Sequence, residues 1–176
     1  MEDYWTSKKK LFANQESSDY AVLNYDDPAC RALAEEIAAE TVFFSLTQEL
    51  DYGVYVKDGM IVYRDQEGAS EVIMPLGELG LPGSFNAENA LAAAAAAILA
   101  GAPAEKIADT LRTFRGVPHR LEFVAEQGGV KYYNNSKATN ASAAKKALEA
   151  FAEPVVLIAG GLDRGSDYME LVPIFR

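Results

Sequence analysis

The spacing of apolar residues predicts strands that alternate with helices in the first part of the chain. Apolar runs at residues 20–24 and 41–45 are typical of buried strands. Between them, Asp27 is a suitable helix cap, Pro28 fits a first helical turn, and apolar residues follow at helical spacing. Two strands joined through a helix run parallel in one sheet. The pattern therefore predicts the α/β class.

The next part of the chain extends this predicted sheet. Apolar and polar residues alternate over residues 53–64 on both sides of Asp58-Gly59, a pair that favours a tight hairpin turn. Residues 71–75 are a further candidate strand, and residues 4–14 have the pattern of a short amphipathic helix. We therefore expect a largely parallel sheet that ends in a hairpin.

Two helices are predicted before the pattern changes near residue 117. The alanine-rich segment 86–100 begins with Asn86, a candidate cap, and residues 103–116 carry an apolar stripe between a proline and a glycine. We place a domain boundary where this second helix ends. The predicted domains are 1–116 and 117–176.

The second predicted domain begins with a hairpin. Two apolar segments, 121–126 and 130–133, flank a Gly-Gly pair, and a helix capped by Thr139 or Asn140 follows. Residues 154–159 form a continuous apolar run, which is typical of a parallel strand buried on both faces. We therefore expect the start of a Rossmann-like domain.

Charge and composition narrow the function. The chain of 176 residues has 26 acidic against 16 basic residues and a formal charge of −10, which disfavours nucleic acid and anionic membranes as partners. The single cysteine, Cys30, fits a reducing compartment. No segment has the ~20 consecutive apolar residues of a membrane span, and the first residues do not resemble a signal peptide. We expect a soluble, cytoplasmic protein.

A group of polar side chains at residues 134–140 is the strongest candidate site. If the strands before Lys137 and Arg164 are parallel, both cations lie at the carboxyl edge of one sheet, where α/β proteins bind ligands. With Thr139 and a helix N-terminus they suit a carboxylate or a phosphate. Spacing alone is equally compatible with Thr139 acting only as a cap and Lys137 being solvated.

Other candidates are less specific from spacing alone. Asn86 and Asn89 lie three residues apart, and an amide there can read a purine edge, although capping alone explains Asn86. Arg120, at the predicted junction, suits a phosphate. The acidic pair that begins with Asp26 is a cap with a spare acid, or a ligand for Mg²⁺. Lys8, in a run of three lysines, has the pattern of a solvated face. No G-x-x-x-x-G-K-[ST] phosphate loop is present in the sequence.

Four segments in order resemble the Mur ligases over essentially the whole chain. They are LPGSFNAENA, GVPHRLE, YNNSKATN and AGGLDRG. The resemblance implies three domains in the family, of which this chain matches the latter part of the central ATP-binding domain and the beginning of the C-terminal, amino-acid-binding domain. The chain is therefore expected to be a fragment, inactive by itself because the phosphate loop is missing.

The resemblance also implies the chemistry. ATP with Mg²⁺ phosphorylates a carboxylate, and an amine then displaces the phosphate to form an amide; the closest resemblance is to members that join D-glutamate to UDP-N-acetylmuramoyl-L-alanine. We expect a monomer that binds these two substrates, with neither nucleic acid nor a membrane as a partner. By resemblance, Lys8 and Lys137 are catalytic, with a carbamylated Lys8 holding Mg²⁺. The nucleotide contacts implied are Asn86, Asn89, Arg120 and Asn135. The amino-acid contacts implied are Lys137, Thr139 and Arg164.

Three positions depart from the usual family pattern or vary within it. Asn135 stands where aspartate is usual, Phe85 where histidine is common, and Arg164 where some members have lysine. We expect Asn135→Asp to raise ligase activity in a completed enzyme. The alternatives are another amide-forming ligase of the superfamily, similar to folylpolyglutamate synthase, and a non-catalytic nucleotide-binding fragment.

Overall fold

The computed structural model describes residues 2–162, 165 and 167–175, and it confirms the α/β class. The chain divides into two compact units. Unit 1 contains the residues up to Leu79 together with Ala87–Thr113, and unit 2 contains Gly80–Asn86 and the residues from Phe114 on. In chain order the helices and strands are α1 (Glu2–Lys9), β1 (Tyr20–Asn24), α2 (Pro28–Ala34), β2 (Glu40–Ser45), β3 (Gly53–Lys57), β4 (Met60–Arg64), β5 (Ser70–Pro75), α3 (Ser84–Leu99), α4 (Ala104–Thr113), β6 (Glu122–Gln127), β7 (Val130–Asn134) and α5 (Ala141–Leu148). The boundary near residue 117, with domains 1–116 and 117–176, remains a prediction.

Unit 1 is built on a mixed sheet whose strands lie in the order β1-β2-β3-β4-β5. The pairs β1–β2 and β2–β3 are parallel, and the pairs β3–β4 and β4–β5 are antiparallel. All five strands agree with the sequence-based prediction to within one residue at either end. Asp27 caps α2 as expected, because its Oδ1 accepts a hydrogen bond of 2.8 Å from the N–H of Ala29.

Helices cover both faces of this sheet. Val54 and Ile61 belong to a cluster that includes Leu91 of α3 and Ile107 of α4. On the other face, Leu23 belongs to a cluster with α2, and this cluster is extended by side chains near the amino terminus of the chain, including Trp5. Alternating side chains of one strand therefore enter two apolar layers, and unit 1 is a three-layer α/β/α arrangement.

Backbone geometry explains why glycine occupies positions 53 and 59 of this sheet. Asp58 and Gly59 have φ of 49° and 74°, the left-handed geometry that the predicted hairpin turn requires. Gly53, with φ of 125°, begins β3 beside β2, and a Cβ added to it would lie 2.0 Å from the carbonyl oxygen of Phe43. A larger residue at position 53 would therefore separate the two strands.

Unit 2 has a smaller apolar core. Strands β6 and β7 form an antiparallel hairpin, as predicted, and Tyr133 of β7 contacts the rings of Phe123 and Phe151. Asn140, one of the two expected caps, begins α5: its Oδ1 accepts from the N–H of Ala143 at 2.8 Å. A 3₁₀ helix at Tyr168–Ile174 packs against α5.

The strand predicted at residues 154–159 does not form. These residues have no regular secondary structure, and Val156 and Ile158 are 92% and 94% exposed. A strand is stable only when its backbone pairs with a neighbour, and no strand in the described part of the chain pairs with this segment. The predicted parallel strand–helix–strand unit after β7 is therefore wrong for these residues. Arg164 lies outside the described residues.

Among the helices that the structure describes, none is long and apolar enough to cross a membrane.

Candidate functional site

Two loops of unit 2 that carry predicted site residues lie at one end of the β6–β7 hairpin. The first loop precedes β6 and contains Arg120, and the second follows β7 and contains Lys137. Because β6 and β7 are antiparallel and Glu122 pairs with Asn134, the residues before one strand and after the other are neighbours. This pairing brings together two segments that are separated along the chain.

Hydrogen bonds join the two loops directly. The N–H of Lys137 donates to the carbonyl of His119 at 3.0 Å, and the N–H of Leu121 donates to Oδ1 of Asn135 at 3.1 Å. Asn134 contacts the same turn, with its Nδ2 2.9 Å from Nδ1 of His119. Glu122 also stabilises this turn, because its Oε2 accepts from the N–H of His119 at 2.8 Å. We call the group of His119, Glu122, Asn134 and Asn135 the loop clasp.

The two loops that the clasp joins carry exposed candidates for anion binding. Arg120, Lys137 and Thr139 are exposed, whereas Asn135 is half-buried. The N-terminus of α5, with Asn140 as its cap, follows the same loop. An arginine and a lysine on adjoining loops can bind two negatively charged groups, a phosphate and a carboxylate.

Helix α3 carries the two predicted asparagines of the nucleotide site. Asn86 is not the cap that the sequence suggested, because α3 begins earlier, at Ser84. Its side chain is buried and donates through Nδ2 to the carbonyl of Pro82 at 2.6 Å, so it stabilises the turn that enters the helix. Asn89 lies one turn further on and is exposed.

Lys8 lies in the last turn of α1, and its side chain is exposed. The adjacent Lys9 forms an ion pair with Glu36 at 2.6 Å. Within the described ranges, no group of three His, Cys, Asp or Glu side chains is arranged to hold a metal ion. A carbamate on Lys8, as the family resemblance implies, would add one anionic group that Mg²⁺ can bind.

Asp26 has a structural role that the sequence did not reveal. Its carboxylate accepts hydrogen bonds from Ser45 Oγ at 2.7 Å, the N–H of Leu46 at 2.7 Å and Thr47 Oγ1 at 2.6 Å. Burial raises the pKa of this carboxyl, but the hydrogen bonds from these three residues outweigh burial and hold the pKa below its ordinary value. Asp26 therefore joins the chain after β1 to the chain after β2, and it is not a spare acid.

The sequence patterns assigned no individual role to two members of the loop clasp, Glu122 and Asn134. Glu122 accepts a hydrogen bond of 2.8 Å from the N–H of His119, and Asn134 accepts one of 3.0 Å from the N–H of Ser136. The only local signal was the Asn-Asn pair directly before Ser136, a combination that favours side-chain-to-backbone turns. Their contacts with His119 depend on the antiparallel pairing of the hairpin, which a short sequence pattern does not specify.

Comparisons with known proteins agree on one family. Residues 1–97 match the Mur ligase middle domain. A protein of Pelotomaculum thermopropionicum named UDP-N-acetylmuramoylalanine–D-glutamate ligase is 52% identical over 170 residues, which are 97% of this chain and 37% of the relative. A protein of Geobacillus kaustophilus with the same name is 48% identical over 99% of this chain and 38% of the relative. The chain thus spans less than two fifths of the length of these relatives.

Solved structures show the same fold at low sequence identity. MurF from Acinetobacter baumannii has a TM-score of 0.64 and 18% identity, covering 82% of this chain and 32% of that one. Folylpolyglutamate synthetase from Lactobacillus casei has a TM-score of 0.57 and 16% identity, covering 88% of this chain and 41% of that one. At these identities the likeness concerns the fold alone.

Proposed function

Because the chain belongs to the Mur ligase family, we propose that it is part of an ATP-dependent ligase that adds D-glutamate to UDP-N-acetylmuramoyl-L-alanine. The named relatives at 44–52% identity support this substrate pair. The reaction belongs to the cytoplasmic synthesis of peptidoglycan precursors. The whole ligase carries the activity, and chain 1–176 contributes the parts of it described above.

The contact between the two loops of unit 2 is the observation that carries the proposal. The N–H of Lys137 donates to the carbonyl of His119, the residue before Arg120, at a distance of 3.0 Å. One side chain can therefore bind the phosphates of a nucleotide while the other binds the carboxylates of an amino acid. Amide formation through an acyl phosphate requires such a pair, because anions must be held together before they react.

The proposed reaction consists of two displacement steps, and neither changes an oxidation state. A carboxylate oxygen of the muramoyl substrate attacks the γ-phosphorus of ATP, and the bond to the ADP oxygen breaks. The amine nitrogen of D-glutamate then attacks the acyl carbon, the bond to phosphate breaks, and the nitrogen loses a proton. Bound Mg²⁺ supplies positive charge that offsets the negative charge on the phosphates.

The residues of this chain contribute positioning and charge. Lys137 and Thr139 contact the D-glutamate carboxylates, and the same role is proposed for Arg164. On the nucleotide side, Asn86 has Nδ2 committed to Pro82 and therefore acts through Oδ1. The further nucleotide contacts proposed are Asn89, Arg120 and Asn135. Lys8, if carbamylated, would hold Mg²⁺ through one anionic oxygen.

A chimeric ligase tests the proposal. This chain replaces the matching 170-residue segment of the Pelotomaculum relative, and phosphate release is measured with ATP, Mg²⁺, the muramoyl acceptor and D-glutamate. Lys137→Ala is expected to lower the rate by roughly 100-fold or more, because one charged contact to the reacting groups is lost. Lys131→Ala is the matched control, since Lys131 is an exposed lysine of β7 on the same hairpin.

Two outcomes would contradict the proposal. If the unsubstituted chimera releases no phosphate that depends on D-glutamate, the ligase assignment is wrong. If another amino acid replaces D-glutamate with higher activity, the chain belongs to a different amide-forming ligase of the superfamily, such as one similar to folylpolyglutamate synthase. Chain 1–176 alone is expected to hydrolyse no ATP, because its sequence has no phosphate loop.

A further inference from the structure

Arg120 is carried by an unusual turn. The residues on both sides of it, His119 and Leu121, have φ of 69° and 47°. Residues other than glycine rarely adopt such angles, and each costs free energy that surrounding contacts must offset. The direction of the Arg120 side chain therefore depends on the contacts that stabilise this turn.

The hydrogen bonds of Asn134 determine how its amide is oriented. Its Oδ1 accepts from the N–H of Ser136 at 3.0 Å, so the other amide atom, Nδ2, is the one that lies 2.9 Å from Nδ1 of His119. An amide nitrogen can only donate. Nδ1 of His119 must therefore accept, and the imidazole carries its proton on Nε2.

Glu122 does not compete for this ring nitrogen. Its Oε2 accepts from the backbone N–H of His119 at 2.8 Å but lies 3.8 Å from Nδ1, which is too far for a hydrogen bond. Glu122 thus holds the backbone of His119, and Asn134 holds its ring. The carbonyl of His119 is a third point of attachment, because it accepts from the N–H of Lys137.

We propose that His119 is a positioning residue: Asn134 locks its imidazole in the Nε2-protonated tautomer, and the locked ring holds the turn that presents Arg120 beside Lys137. The part that concerns Arg120 and nucleotide phosphates rests on the proposed function. The tautomer lock is independent of it. His119 itself need not touch any substrate to act in this way.

The tautomer can be measured on chain 1–176 without ambiguity, because His119 is its only histidine. Nitrogen-15 spectra of the imidazole at about pH 8.5, where an ordinary imidazole is neutral, separate protonated from unprotonated ring nitrogens. We expect an unprotonated Nδ1 and a protonated Nε2. A mixture of tautomers as in free histidine, or a protonated Nδ1, would overturn the proposal.

Two substitutions of Asn134 should change the tautomer of His119 in different ways. Asn134→Asp replaces the donor with a carboxylate that can only accept, so the proton should move to Nδ1. Asn134→Leu removes both hydrogen bonds, so the tautomers should mix and the amides of residues 118–121 should become more mobile. Gln127→Leu, a matched change at the other end of the hairpin, should leave the spectrum unchanged. An Nε2-protonated ring in Asn134→Asp would refute the lock.

The chimeric ligase tests positioning. Asn134→Leu should raise KM for ATP by roughly fivefold, the effect of one lost hydrogen bond, with kcat changed by less than about twofold. Asn134→Asp should recover part of this loss, since it restores a bond to the ring. An unchanged KM for ATP in Asn134→Leu would refute positioning of Arg120. An inactive unsubstituted chimera counts against the proposed function alone, and the tautomer in chain 1–176 still decides whether the lock exists.

Discussion

Unit 1 and unit 2 have apolar segments of similar composition but very different burial. In unit 1, Val54 and Ile61 are 0% exposed, and helices cover both faces of their sheet. In unit 2, Val156 and Ile158 are 92% and 94% exposed although the sequence around them is as apolar as any strand of unit 1. Local sequence is therefore not what separates the two segments.

The difference shows that burial of a strand depends on its neighbours. Each strand of unit 1 pairs with at least one other strand and lies against a helix. Residues 154–159 have no such partner among the strands that the structure describes.

The candidate site residues do not lie in the unit with the larger core. The loop clasp and the exposed cations Arg120 and Lys137 belong to unit 2, the unit with the smaller core. Stability and the proposed anion site can therefore be perturbed separately.

The largest expected effect comes from an isoleucine pair, one from each unit. Ile61→Ala should lower the free energy of unfolding by about 2–5 kcal/mol, because it leaves a cavity in a packed core. Ile158→Ala should change it by less than about 0.5 kcal/mol, because the side chain is already in solvent. Urea unfolding followed by far-ultraviolet circular dichroism, to which helices and strands of both units contribute, measures both. Equal losses in the two variants would contradict the contrast between the units.

A smaller, pH-dependent effect is expected at Asp26. The pKa of this carboxyl is lowered in the folded state, so its contribution is present above the unfolded pKa of about 3.9 and is lost as the pH falls through the folded value. Asp26→Asn should therefore lower the free energy of unfolding at pH 7 by about 1 kcal/mol, a value reduced by partial exposure of the group. The difference from the unsubstituted chain should shrink below about pH 4.

Urea midpoints measured from pH 7 to pH 3 test this expectation. Asp51→Asn, which changes an exposed aspartate of the same unit, is the control. A difference for Asp26→Asn that is constant over the whole pH range would mean that the hydrogen bonds to Ser45 and Thr47 do not depend on the charge of the carboxylate.

The smallest expected effect is on activity at Asn135. Its Oδ1 accepts from the N–H of Leu121, and either oxygen of an aspartate can do the same. Asn135→Asp therefore keeps the loop clasp and changes only the second polar atom of the side chain, from an amide donor to an anionic acceptor. We expect kcat/KM of the chimeric ligase to rise by roughly two- to fivefold.

Gln127→Glu, an amide-to-acid change on the same hairpin, is the control for added charge. An unchanged or lower rate in Asn135→Asp would mean that the amide donor of Asn135 already serves the proposed nucleotide site.

Much of the fold could be predicted because its signals are local. The strands of unit 1 and the turn at Asp58-Gly59 follow from alternation and from a residue pair that adopts positive φ. The start of α3 was placed too late, because Asn86 resembles a cap but donates to Pro82. The candidate site was only partly predictable: motifs indicated Arg120 and Lys137, whereas nothing in their spacing indicated the bonds between their loops.

The sequence by itself determined the strands of unit 1, the helix cap at Asp27, and, through four short segments in order, the resemblance to one ligase family. Each of these signals depends on residues within a few positions of each other. Only the tertiary structure decided that Asp26 joins two strand ends and that Asn134 holds His119. Each of these contacts requires strand pairing to bring together residues 15 or more positions apart, and no short pattern in the chain specifies such pairing.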